Sequence, residues 1–222
     1  MIKAVLMDIG GPINDETDQE RLFDDAALDA IRQFREVSAE EYVDICKRVV
    51  DSFAPRAYSA ILWELAQHDK DRFDALCSFV KAHGFERFHL RPEAPEILDA
   101  LSKQYKLGIV ANSGREMLQH MQDAGILDYF TSRRTGEMVE MYKPNMKYFE
   151  LVLDDLEALE SEAVMVGDRV DCDVVPARMM GMKTVRLRVG RHKDQKPRMP
   201  TEIPDAEITS ITELPNVLKR WD

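Results

Sequence analysis

The chain has 222 residues, 45% hydrophobic and 32% charged, with a formal net charge of −11. That is enough apolar material for one large core, or a core plus a small second domain, and the acidic balance argues against non-specific binding to nucleic acid or to anionic membranes. Its apolar runs fall short of the ~20 residues a membrane span needs, three cysteines without a C-x-x-C pair suggest neither zinc nor a disulfide frame, and the start carries no secretory leader pattern, so the expectation is a cytoplasmic protein.

Ile2 to Met7 is an almost unbroken apolar run, as expected of a strand buried on both faces of a parallel sheet. It ends at Asp8, with Gly10 and Gly11 close behind. A carboxylate there stands at the carboxyl edge of a sheet, where open α/β folds bind ligands. From about Thr17 to His89 the pattern changes. Leu22, Ala26, Ile31 and Phe34, then Tyr42, Ile45, Val49 and Phe53, then Phe73, Leu76, Cys77 and Val80 recur at helical spacing, which predicts about four helices, the last stopped by Gly84. Their aromatics, Phe23, Tyr58, Trp63 and Phe79, are expected in a small core of their own.

Beyond Pro92 the sequence predicts a helix over Glu96–Tyr105, a buried strand over Lys106–Ala111 stopped by Asn112-Ser113-Gly114, and a helix over Arg115–Asp123 ended by Gly125. A short strand is expected over Thr131–Thr135. Lys143-Pro144-Asn145 opens the next helix, and Ala163–Val166 is a third buried strand ending at Gly167-Asp168. A helix to Met180, a strand over Lys183–Leu187, a loop from Gly190 to Pro204, a strand near Glu207–Thr209 and a last helix to Trp221 complete the chain. Strands alternating with helices mean a doubly wound parallel sheet.

Three strand ends thus deliver Asp8, then Asn112 and Ser113, then Asp168 to one edge, with Lys143 and Asp173 just beyond. Acids converging on one point repel unless a cation joins them, and hard oxygen donors with few imidazoles point to Mg²⁺ rather than zinc. Lys143 adds a point charge suited to a phosphoryl oxygen. Carboxylate, metal, lysine and helix N-terminus together suit phosphoryl transfer.

These residues resemble the motifs of the haloacid dehalogenase-like (HAD) superfamily, over the whole chain. Asp8-Ile9-Gly10-Gly11-Pro12-Ile13 is similar to its first motif, Val110-Ala111-Asn112-Ser113 to its second, Lys143 in Tyr142-Lys143-Pro144-Asn145 to its third, and Gly167-Asp168-Arg169-Val170-Asp171-Cys172-Asp173 matches G-D-x-x-x-x-D in full. The resemblance implies a Rossmannoid core, 1–16 and 90–222, carrying an all-helical cap of C1 type, 17–89, hinged at about Asn14–Glu16 and Phe88–Pro92. It implies an aspartyl-phosphate formed on Asp8, and Mg²⁺ held by Asp8, the Gly10 carbonyl, Asp168 and Asp173. It gives Lys143 the role of offsetting charge, has Asn112, Ser113 and Lys143 hold the phosphoryl oxygens, and makes the substrate a small phosphorylated metabolite. Asp171 matches no required acid, and Arg169, Arg115, His89 and Arg91 are expected at the surface or rim.

The pattern departs from that family in three places. Gly10 stands where its phosphatases carry a second Asp, a general acid–base whose loss costs about 10²–10⁴ in rate. Pro12 replaces a Thr, and Ala111 takes the second motif's Thr position if Asn112 aligns with the Asn that often follows it. Three readings follow: a phosphatase that is slow or borrows an acid such as Asp15 or Glu16, a hydrolase of carbon–halogen or carbon–phosphorus bonds, or a non-catalytic domain that binds a phosphorylated ligand or a partner protein. Oligomeric state is not readable.

Overall fold

The computed structural model of the protein describes residues 1–83 and 88–221, so Gly84 lies outside them. The chain opens with β1 (Ala4–Met7) and passes into α1 (Thr17–Ile31), α2 (Ala39–Asp51), α3 (Ala57–Leu65) and α4 (Lys70–His83). It then runs through α5 (Ala94–Ser102), β2 (Lys106–Ile109), α6 (Glu116–Asp123), β3 (Phe130–Ser132), α7 (Gly136–Val139), α8 (Met146–Leu156) and β4 (Ala163–Gly167). It finishes with α9 (Val175–Met179), β5 (Lys183–Leu187), β6 (Ala206–Ile208) and α10 (Leu214–Leu218). Two compact units result, Met1–Asp15 with Phe88–Asp222, and Glu16–Arg87.

The first unit is an α/β domain on a six-stranded sheet in the order β3-β2-β1-β4-β5-β6, with every pairing parallel. This is the doubly wound sheet that alternating strands and helices predict. Alternation along β1 explains both layers. Val5 and Met7 join the core formed with Leu98, Met121 and Leu214 of α5, α6 and α10, whereas Ala4 and Leu6 join the one formed with Phe149, Val152 and Ala177 of α8 and α9. In β2, Gly108 lets α8 lie close, because a Cβ there would come within 2.6 Å of Val152 Cγ1.

The helical unit has its own core, including Phe23, Ile31, Ile45, Val49, Ile61, Leu65, Leu76 and Val80. The buried stripe of α1 is Phe23, Ala26, Ala27, Ala30 and Ile31, and Phe34 lies beyond the helix with 46% of its surface exposed. Trp63 is likewise at the surface, edge-on to Phe73 at 5.4 Å between ring centres. Ser38 caps α2 by accepting the Glu41 amide at 3.1 Å. Among the described residues no helix is long and apolar enough to cross a membrane.

Several boundaries differ from expectation for local reasons. Helix α5 begins at Ala94, because Pro95 fits the first turn, where its missing N–H is not needed. The strand expected over Thr131–Thr135 is β3, one residue earlier: Arg133 turns back to the Phe130 carbonyl and Arg134 to Asp155, so that only Thr135 bridges to Ala111 before α7 starts. The helix after Asp168 opens as a π-turn, Val170–Val174, and the last helix stops at Leu218 rather than Trp221.

Candidate active site

The nucleophile candidate stands one residue beyond β1. The Asp8 amide bonds the Val166 carbonyl of β4 at 2.9 Å, and its Oδ1 accepts the Ile9 amide at 2.8 Å. The chain then turns sharply at Gly11, whose φ is +81°. A Cβ at Gly11 would meet the Asp168 Cβ at 2.9 Å, so only glycine lets this turn lie against the tip of β4. Arg91, expected at the surface or rim, instead grips the turn: its Nε donates to the Gly11 carbonyl at 2.5 Å and its Nη1 pairs with Asp15 at 3.3 Å.

Asp168 follows β4 directly, and the π-turn behind it carries Asp173 inward. Gly167 leaves no room for a side chain, because its Cβ would collide with the Asp173 carboxyl. Asp173 is fully buried, and its Oδ2 accepts the Arg169 amide at 3.0 Å. Lys143 reaches in from the loop before α8. Its Nζ lies 2.7 Å from Asp8 Oδ2 and 2.6 Å from Asp173 Oδ1, with 2% of its side chain exposed. Carboxylate oxygens of Asp8, Asp168 and Asp173 all lie within 4.8 Å of one another, an arrangement that could hold a metal ion.

Two of these acids, Asp8 and Asp173, share the one Lys143 ammonium. Burial opposes the charge on Lys143, but Asp173 and Asp8 together outweigh it and hold the lysine above its usual range. Burial pushes Asp173 up to about 6, with Lys143 restraining the rise and Asp8 adding to it. The site is short of positive charge, the condition a divalent cation relieves.

The Asn112 side chain clamps the Lys143 backbone. Its Oδ1 accepts the Lys143 amide at 2.7 Å and its Nδ2 donates to the Lys143 carbonyl at 3.1 Å. Among the described residues the neighbouring Ser113 has a buried hydroxyl oxygen with no hydrogen-bond partner. The Tyr148 hydroxyl fixes this strand end, accepting the Ala111 amide at 3.1 Å and donating to the Arg134 carbonyl at 2.7 Å. Asn112→Ala leaves both polar groups of the Lys143 backbone without these partners, which costs ~1–3 kcal/mol apiece if they stay dry. The expected result is a lower melting temperature and a fall in kcat with little change in KM. A variant with wild-type kcat would show that the clamp is idle.

A model of the haloacid dehalogenase-like hydrolases matches residues 24–187. The chain belongs to this family. Glyceraldehyde 3-phosphate phosphatase of Methanopyrus kandleri is 29% identical over 232 residues, covering 99% of this chain and 98% of the relative. The enzyme of the same name from Methanocaldococcus jannaschii is 25% identical, covering 99% and 98%. The HAD-hydrolase YfnB of Bacillus subtilis, solved bound to magnesium, shares the fold with a TM-score of 0.68 at 20% identity over 98% of both chains.

Around Asp168 lies a set of residues that the sequence did not single out. Arg186 on β5, 2% exposed, donates to the carbonyls of Asp168 at 3.2 Å and His192 at 2.6 Å. Gln195 accepts the Val170 amide at 2.8 Å and donates to Asp171 at 3.0 Å. The imidazole of His192 lies 3.7 Å from Asp168, and burial, then Arg169, lower its pKa to about 3. Arg169 keeps 17% of its side chain exposed and pairs with Asp171 at 2.6 Å. One signal was visible in the sequence, an arginine inside the strand expected over Lys183–Leu187.

Proposed function

We propose that the protein is a Mg²⁺-dependent phosphatase of a small phosphorylated metabolite, acting through Asp8. The reading is carried by one observation: the Lys143 ammonium bridges Asp8 and Asp173 at 2.7 and 2.6 Å, while Asp168 lies within 4.8 Å of both. Asp8, Asp168 and Asp173, with the Gly10 carbonyl, would hold Mg²⁺. When bound, the ion neutralises phosphoryl charge and raises the electrophilicity of phosphorus.

The chain's own residues do the rest. Asp8 attacks phosphorus as a carboxylate, the bond to the leaving oxygen breaks, and an aspartyl-phosphate forms. Water then attacks that phosphorus and loses its proton to solvent, the bond to Asp8 breaks and restores the carboxylate, and inorganic phosphate departs. Lys143 offsets the charge of nucleophile and phosphoryl group, and the Ser113 hydroxyl with its neighbouring amides receives phosphoryl oxygens. Asn112 contributes by fixing Lys143. Assignment of residues 17–89 as a cap that selects the substrate, and cytoplasmic location, belong to the same proposal. The relatives' names favour a triose phosphate or similar small ester.

Residue 10 supplies no acid for the leaving oxygen, and Asp15 is engaged by Arg91. Turnover should therefore depend steeply on the leaving group, with an aryl phosphate cleaved much faster than an alkyl phosphate. The positive φ falls on Gly11 and not on Gly10, so the backbone conformation at residue 10 does not itself exclude a side chain. Gly10→Asp should raise alkyl phosphate turnover by about 10²-fold, the lower end of what a general acid contributes. The deciding assay is phosphate release from glyceraldehyde 3-phosphate and a panel of small phosphate esters with MgCl₂, using Asp8→Asn as blank. Release equal to the blank would defeat the enzymatic reading. It would leave the second reading that Gly10 favours, a domain binding a phosphorylated ligand without turnover.

A further inference from the structure

We propose that Arg186 is a positioning residue for Asp168, fixing that acid for a divalent cation through a strap formed by residues 188–195; the inference rests on the magnesium reading above. Arg186 lies near the carboxyl end of β5, the strand next to the edge strand β6, opposite Gly167 in the β4–β5 register and between the core residues Val185 and Leu187. A guanidinium there pays heavily in lost hydration, and an apolar side chain of similar volume would commonly serve the fold as well or better. Its carboxylate partner, Glu207 at 3.1 Å, has 42% of its side chain exposed and compensates weakly.

The remaining donors go to main-chain carbonyls: Asp168 at 3.2 Å, His192 at 2.6 Å and Lys193 at 3.3 Å. One planar fork thus ties the metal-site acid to the strap. From its far end, Gln195 bonds the Val170 amide and the Asp171 carboxylate, gripping the turn that follows Asp168. Asp168 is consequently held by the arginine at its own carbonyl and by the glutamine two residues later. The strap also walls its side chain, with His192 Nδ1 3.7 Å from Oδ2, and Val189 3.4 Å from where a Gly11 Cβ would stand. Lysine cannot reproduce this pattern, because its three donors radiate from one point instead of spanning separated carbonyls.

The test is calorimetric titration of the full chain with MgCl₂ alone, for wild type, Arg186→Lys and Gln195→Met, alongside the Mg²⁺ dependence of phosphate release. Residues supporting metal ligands typically change affinity by about 10–100-fold. The expectation is a Mg²⁺ Kd raised about tenfold or more in Arg186→Lys and by less in Gln195→Met, with substrate KM at saturating Mg²⁺ unchanged. A merely structural role would lower the melting temperature and leave the Mg²⁺ Kd in place, and that result in folded Arg186→Lys overturns the proposal. Should Arg186→Lys fail to fold, Gln195→Met decides by the same measure. If wild type itself takes up no Mg²⁺, the magnesium reading falls first, a failure distinct from wild-type affinity in the variants.

Discussion

Asp8→Asn is expected to reduce phosphate release by at least about 10⁴-fold, the scale seen when a catalytic nucleophile is removed. An amide is far too weak a nucleophile to take its place, and no phosphorylated enzyme should form with substrate. The same change should leave the fold intact. Three carboxylates within 4.8 Å of one another repel, and Lys143, bonded to Asp8 and Asp173, neutralises only part of that charge. Asparagine removes one negative charge while its amide oxygen can still accept from Lys143. Without Mg²⁺ the melting temperature should therefore hold or rise, and the increment on adding MgCl₂ should shrink. A variant that keeps turnover removes Asp8 from its role, and one that melts well below wild type means that the Asp8–Lys143 pair is chiefly structural.

The second large effect concerns Lys143. Lys143→Met fills similar space but leaves Asp173, with 1% of its side chain exposed, and Asp8 without the ammonium between them. Stranding a buried charge in this way costs ~3–5 kcal/mol. For a chain of this size each kcal/mol moves the melting temperature by ~2–4 °C, so a fall of ~6–20 °C is expected. Activity should fall by about 10³-fold, as when a preorganised electrostatic contact to the reacting group is lost. Added MgCl₂ should restore part of the lost stability, because a divalent cation among the same acids supplies the missing positive charge. The variant should therefore show a larger Mg²⁺-induced rise in melting temperature than wild type. An equal or smaller rise would mean that lysine and metal do not share one electrostatic field.

Asp8 is visible as the letter that ends an apolar run and Lys143 as the residue before Pro144 at a helix start, and at such run ends and helix starts the sequence was most legible. Ala4–Met7 and Ala163–Gly167 are strands buried on both faces, and such strands must carry continuous apolar runs, so their polar end residues stand out. Short elements were less legible. The small helix Gly136–Val139 has no amphipathic period to read, and β3 is cut short where Arg133 turns back to the Phe130 carbonyl and Arg134 finds Asp155, 21 residues on.

The sequence by itself determined the family, the doubly wound sheet and the order in which acids, lysine and glycines arrive at its edge, because strand burial, turn formation and motif spacing are local properties. The tertiary structure alone decided what each polar side chain touches. Arg91 meets Gly11 across 80 residues, Asn112 meets Lys143 across 31, and Gln195 meets Val170 across 25. A buried polar group must find a partner wherever folding brings one, and that choice depends on the packing of distant segments, which no local pattern encodes.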